Sequence, residues 1–150
     1  MTTPEKVNID VTLLLRGKQR LYGVRNNEYE RYAQYCSRRV VRLIHLMKKR
    51  SDFVGIEEKP EEPQEGKPQT KKTGPKFDLR PEVNQNAEHM EIVLLKADSA
   101  FARYYFLKNT ATKHKRKAHA LSRLRKCQKL WEIATECAKA FCTEKTQLEV

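Results

Sequence analysis

Residues 29–50 read YERYAQYCSRRVVRLIHLMKKR, and two patterns run through them at once. At about 100° per residue, Tyr29, Tyr32, Cys36, Val40, Leu43 and Met47 fall within a sector of about 80°, the width of a core-facing helical stripe. Arg31, Tyr35, Arg38, Arg42, His45 and Lys49 fall within a second such sector on the opposite side. One edge of the predicted helix packs the protein together. The other presents a row of guanidinium groups outward.

Upstream, a short helix is predicted from Asn8 to Tyr22, closed by Gly23, a residue that takes the left-handed conformation at helix ends. The turn GVRN follows, and Asn26 or Asn27 is placed to cap the next helix, whose first turn holds Glu28 and Glu30 at the positive end of the dipole. Downstream, residues 55–76 (GIEEKPEEPQEGKPQTKKTGPK) hold four prolines, three glycines and no aromatic residue. That composition predicts a disordered or loosely tethered linker rather than helix or core.

Beyond it, Val83, Ala87, Met90, Leu94, Ala97, Phe101 and Tyr104 recur at four- and three-residue spacing, the seam of a long packed helix. A turn is expected near Asn109 and Thr110. A fourth helix carries Leu124, Cys127, Trp131, Ala134, Ala138 and Phe141 on its seam. No stretch alternates cleanly, so strands are not expected. The predicted fold is all-α: antiparallel helix hairpins packed as a bundle or stack, in one domain over 1–150, with helical arms at 8–50 and 79–146.

The chain carries a formal charge of +12 over 150 residues. The five lysines and five glutamates of 55–76 cancel, so the excess lies in the arms. Arg16–Arg50 holds eleven Lys or Arg against Glu28 and Glu30, and Arg103–Lys129 holds ten with no acid. Such self-repulsion points to a polyanionic partner, nucleic acid first and an anionic membrane surface second. No run approaches the roughly 20 apolar residues of a membrane helix, and the polar start does not resemble a signal peptide, so a soluble intracellular chain is expected.

Arginine dominates the middle of the outer edge, and a planar guanidinium can grip a phosphate or a guanine edge with two hydrogen bonds or stack on a base. Tyr35 among them is placed to stack on an unpaired base, a mode suited to RNA loops and junctions. The plainer alternative is a solvated face paired with acids of neighbouring helices, although the arms contain few acids to do so. In KHKRKAHALSRLRKCQK, Lys115, His119, Ser122, Lys126 and Lys129 share one face, flanked by Arg116 and Arg123. The lone Trp131 fits the packing seam, and His119 and His114 belong to the basic run.

Catalysis has little support. Cys36 and His45 lie about 180° apart on their helix and cannot act as nucleophile and base. The isolated glycines form no phosphate-cradling loop, and neither a cofactor nor a metal site is expected. Cys36, Cys127, Cys137 and Cys142 contain no C-x-x-C pair and are expected to be reduced and buried.

Taken together, YGVRNNEYERYAQYCSRR and KRKAHALSRLRK, two distant motifs in order, resemble the N-terminal RNA-binding domain of the 68-kDa subunit family of the signal recognition particle. The match rests on Gly23 and Arg25 in the turn, Arg31–Arg39 in the basic helix and Arg116–Lys126 in the last. It leaves 55–76 unmatched. The resemblance implies a tetratricopeptide-like helical fold without enzymatic activity. It also implies binding to the particle's RNA near a helical junction, with Arg38, Arg39 and Arg42 inserted in the groove.

By the same resemblance, Arg25, Arg31, Lys48, Lys49 and Arg50 are nearby backbone contacts. Arg116, Lys117, Arg123, Arg125 and Lys126, with Lys115 beside them, combine phosphate contact and structural pairing. The family acts in co-translational targeting to the endoplasmic reticulum, from the cytoplasm with a nucleolar assembly stage. Its 72-kDa partner subunit docks beyond the residues present here, and the helical run to Val150 without a stop signal predicts a piece of a longer polypeptide. The sequence departs from the family pattern at Val41, Ile44 and His45, and at Asp98–Phe101 of the long helix. Docking on acidic proteins or anionic membranes is the competing expectation. Sequence-specific DNA binding fits less well, for want of a helix-turn-helix spacing.

Overall fold

A computed structural model of the chain describes residues 5–50, 55–56, 76–81, 85–110 and 114–150, the backbone alone at 55–56, 76 and 114–115. The fold is all-α: α1 (Val11–Leu21), a 3-10 turn (Val24–Asn26), α2 (Tyr29–Lys49), α3 (Ala87–Thr110), α4 (His114–Phe141) and α5 (Glu144–Glu149). Val83 and the interior of the expected linker lie outside the described residues.

The long third helix is central. Tyr29 stacks on Tyr105 at 5.3 Å, Tyr32 hydrogen-bonds Asp98, and Arg50 meets Glu88, so α2 runs antiparallel along one side of α3. On another side, Cys127 Sγ donates to the Ala97 carbonyl at 3.5 Å and Cys137 Sγ lies 3.6 Å from His89 Nε2, so α4 is antiparallel too. Met90, Leu94 and Ala97 are buried as their seam predicts, but Ile92, Val93, Leu95 and Ala102 are also 0% exposed. A single seam is therefore the wrong description of α3. With neighbours on more than one side it buries most of its circumference between Ile92 and Ala102, which explains its apolar residues between seam positions.

The stripe of α2 behaves as its periodicity predicts: Tyr32, Cys36, Val40, Leu43 and Met47 are buried, and Tyr29 is half-buried. Asp10 caps α1, its side chain accepting from the Leu13 amide at 2.8 Å. Gly23 has φ 83°, the left-handed value that disfavours a side chain. Neither Asn26 nor Asn27 caps α2. Asn26 ends the 3-10 turn, Asn27 itself is left-handed at φ 62°, and Glu28 occupies the cap position with no side-chain hydrogen bond. Two successive reversals consume the residues that a simple cap would use.

Besides the helices, the described backbone makes two short extended pairings. Gly55–Ile56 pairs antiparallel with Lys76–Phe77, which brings the two ends of the predicted linker together, and Val7 bridges Cys142 in parallel. The Val7 amide donates to Phe141 and the Thr143 amide to Val7, both at 2.9 Å. Glu149 Oε2 accepts from the Val11 amide at 2.7 Å, and Thr146 Oγ1 accepts from the Ile9 amide at 2.9 Å. These contacts fasten the start of α1 to α5.

Candidate nucleic-acid interface

The outer edge of α2 is rigidly based and unevenly neutralised. Arg38 and Arg42, one turn apart, are exposed, and neither has an ion-pair partner among the described residues. Val41 lies exposed between them. Arg39 is rotated toward α3, half-buried, with its Nε 3.1 Å from Glu91 Oε1. Arg50 Nη1 lies 2.6 Å from Glu88 Oε1, and the exposed Arg31 reaches Glu28 at 3.5 Å. Pairing with neighbouring acids thus describes Arg31, Arg39 and Arg50 but not the central Arg38 and Arg42. Arg25, Lys48 and Lys49 are exposed at the two ends of the helix.

Tyr35 does not stand free beside the arginines. It is half-buried, with its ring stacked on Tyr22 at 4.1 Å and on Tyr32 at 6.2 Å. Burial pushes its hydroxyl above the ordinary tyrosine range, partly opposed by the Arg39 charge. Its position at the edge of the wheel permits this: one ring face is taken by Tyr22, which caps the C-terminal end of α1.

In α4, Arg116, Lys117, Arg125 and Lys126 are exposed and Arg123 is half-buried; the Lys115 side chain lies outside the described residues. None of these five makes an ion pair among the described residues. The two basic helices flank α3, and α3 adds cations of its own that the periodicity did not bring forward. Lys96 and Arg103 face the same cleft as Arg123 and Lys126. Arg103 Nη2 donates to Ser37 Oγ on α2 at 3.0 Å. Burial, and then the nearby Lys126 charge, lowers the Lys96 ammonium below the ordinary lysine range. The available signal was a Lys and an Arg seven residues apart, hence on one face of α3.

Beneath the surface, Asp98 is buried and accepts from Tyr32 Oη and from Gln19 Nε2, the latter at 2.9 Å. Burial raises its carboxyl above the ordinary range, and the two hydrogen bonds oppose that shift. Burial, and then the Asp98 charge, push the Tyr32 hydroxyl far up. Asp98 thereby ties the segments of α1, α2 and α3 into one polar node that supports the arginine edge from behind.

All four cysteines are free and buried, and burial pushes Cys36 and Cys137 up to about 12 and Cys142 to about 11. Thiols held protonated are poor nucleophiles, and the exposed His45 is turned away from buried Cys36. No group of three metal-ligating side chains converges among the described residues. No described helix is long and apolar enough to cross a membrane.

An outward arginine pair on a pinned helix, and a second helix whose first half, up to Lys129, carries cations and no acid, are means of holding a polyanion. The family model for RNA-binding signal recognition particle 68 matches residues 24–150, and the chain belongs to that family.

Proposed function

We propose that residues 1–150 act as one RNA-binding domain of the signal recognition particle, which engages the particle's RNA at a helical junction through the outer edge of α2. Arg38 and Arg42 enter the groove. Arg39 stiffens the base of that edge through Glu91 and reaches the RNA from its flank. Arg25, Arg31, Lys48, Lys49 and Arg50 hold backbone phosphates at either end of the helix. Lys115, Arg116, Lys117, Arg123, Arg125 and Lys126 of the last long helix provide a second set of phosphate contacts, which fix orientation without reading bases.

The role is that of a scaffold in co-translational targeting to the endoplasmic reticulum, carried out in the cytoplasm after a nucleolar stage of assembly. It is not enzymatic. The 72-kDa partner subunit docks outside these residues.

The observation that carries this reading is the contrast within one turn of α2: Arg39 is paired with Glu91, whereas exposed Arg38 and Arg42 lack ion-pair partners among the described residues. Guanidiniums left without acids beside one that is fixed are available for bidentate contact with phosphate or guanine. Tyr35 has no base-stacking role in this account, because Tyr22 covers a face of its ring. The test compares Arg38→Ala/Arg42→Ala with the parent chain on a three-way junction and on plain duplex of equal length. Junction affinity should fall on the order of 100-fold, the size expected for two lost bidentate contacts, with a much smaller fall on duplex. Equal falls would reject insertion. Tight adsorption to acidic liposomes with no preference among RNAs would favour an anionic surface instead.

A further inference from the structure

Between α2, α3 and α4 lies a cleft of about 400 Å³ whose chemistry differs from that of the outer edges. Its floor is apolar, and its described lining includes four cations and no carboxylate. Lys96 and Arg103 project from α3, and Arg123 and Lys126 from α4. Ser37 from α2 and Ser99 from α3 add hydroxyls. These cations are not a loose solvated fringe. Lys96 and Arg123 are half-buried, Arg103 is anchored on Ser37, and Lys96 sits 5.9 Å from the centre of the Phe77 ring.

Four like charges gathered round one hollow repel one another, and α3's nearby acids are engaged elsewhere: Glu88 with Arg50, Glu91 with Arg39, and Asp98 with Tyr32 and Gln19. The lowered Lys96 ammonium records the same imbalance from the proton's side, since burial and Lys126 both oppose its charge. An anion entering the cleft would relieve that repulsion, and it would gain most from a site that is already organised. The apolar floor asks for more than a bare ion. Pockets of about 300–1,000 Å³ with an apolar base and a few convergent polar groups suit molecules with both a charged and a flat apolar part.

We infer that this cleft receives one unpaired nucleotide of the bound RNA, its phosphate held by Lys96, Arg103, Arg123 and Lys126 and its base laid on Val40 and Leu130. The inference rests on the RNA-binding reading and deepens it. A residue of RNA turned out of its stack at a junction exposes a base face and a phosphate together, and both parts then find partners that a regular duplex could not offer. Arg103 has a second use here, because its guanidinium plane can stack on the base while Ser37 holds it in place.

The experiment uses the 1–150 chain labelled with nitrogen-15 and titrated with adenosine 5′-monophosphate, then separately with inorganic phosphate. The nucleotide should shift the Ser37, Ser99 and Arg103 amides saturably and bind at least about five-fold more tightly than phosphate. Lys96→Met, which keeps the apolar stem, and Lys126→Gln on the open rim should each weaken nucleotide binding several-fold with the thermal melt unchanged. The Arg38→Ala/Arg42→Ala chain should retain it. Absence of saturable shifts at those amides, or equal affinity for nucleotide and phosphate, overturns the inference. With junction RNA, Lys96→Met/Lys126→Gln should lose about ten-fold in affinity. If that pair changes nothing while Arg38→Ala/Arg42→Ala still weakens junction binding, the cleft assignment fails and the junction reading survives. If the parent chain shows no junction preference, the junction reading fails, while the nucleotide titration still judges the cleft.

Discussion

Helices α2 and α4 are both rich in cations and both lie along α3, yet among the described residues the acids of α3 form ion pairs with only one of them. Glu88 and Glu91 pair with Arg50 and Arg39 of α2. Arg116, Lys117, Arg123, Arg125 and Lys126 of α4 have no such partners among the described residues, and Lys126 acts on the like charge of Lys96. The difference teaches that equal charge does not mean equal use. A cation pinned by a carboxylate sets direction, and its unpaired neighbours then point where the scaffold aims them. A helix of unpaired cations supplies attraction with little directional constraint.

Charge reversal should break this contrast most severely. Arg38→Glu/Arg42→Glu is expected to lower junction-RNA affinity by more than about 100-fold, as bidentate contacts are replaced by repulsion. Arg116→Glu/Lys117→Glu should cost on the order of ten-fold on junction, loop and duplex alike, read by fluorescence anisotropy at one fixed salt concentration. A junction-selective loss from the α4 pair would invert the roles assigned to the two helices.

A smaller effect sharpens the same division. Neutralising Arg116, Lys117 and Arg125 to Gln should reduce the slope of log affinity against log salt by roughly 0.7–0.9 for each phosphate contact removed. Arg39→Gln should change that slope less, because part of its charge is already balanced by Glu91. Smaller still is the stability of the Arg39–Glu91 pair itself. It is partly exposed, and a double-mutant cycle by urea unfolding should find a coupling of roughly 0.5–1 kcal/mol, shrinking as salt is raised. Zero coupling would remove the claim that Glu91 aims Arg39.

The node behind α2 makes stability depend on pH. The folded Asp98 carboxyl is raised above its unfolded value, chiefly by burial. The folded state therefore holds that proton more tightly, and the stabilisation linked to it is fully present below the unfolded value and lost as pH rises through the folded one. Asp98→Asn removes this titration while keeping an acceptor for Tyr32 and Gln19. Its urea stability relative to the parent should increase from mildly acidic to neutral pH. A difference that stays constant over that interval would show that Asp98 does not titrate in the way its burial dictates.

Much of this could be read from the one-dimensional pattern because helical spacing is a local property. The stripe from Tyr32 to Met47 and the arginine row opposite both followed from about 3.6 residues per turn. Single-sided periodicity misled at α3, where Ile92, Val93 and Leu95 answer to a further neighbour, and at Asn26 and Asn27, whose turn geometry outweighs their capping tendency. Tyr35 carried the right chemistry for stacking but met Tyr22 first.

By itself the chain of amino acids determined that this is a helical protein with two acid-poor basic blocks and reduced, buried thiols, since these depend on residue type and short-range spacing. Only the tertiary structure decided which guanidiniums stay open, and that Lys96 and Arg103 share a hollow with Arg123 and Lys126. The physical reason is that ion pairing and charge crowding depend on distances across helices, and those are set by how α2 and α4 seat against α3.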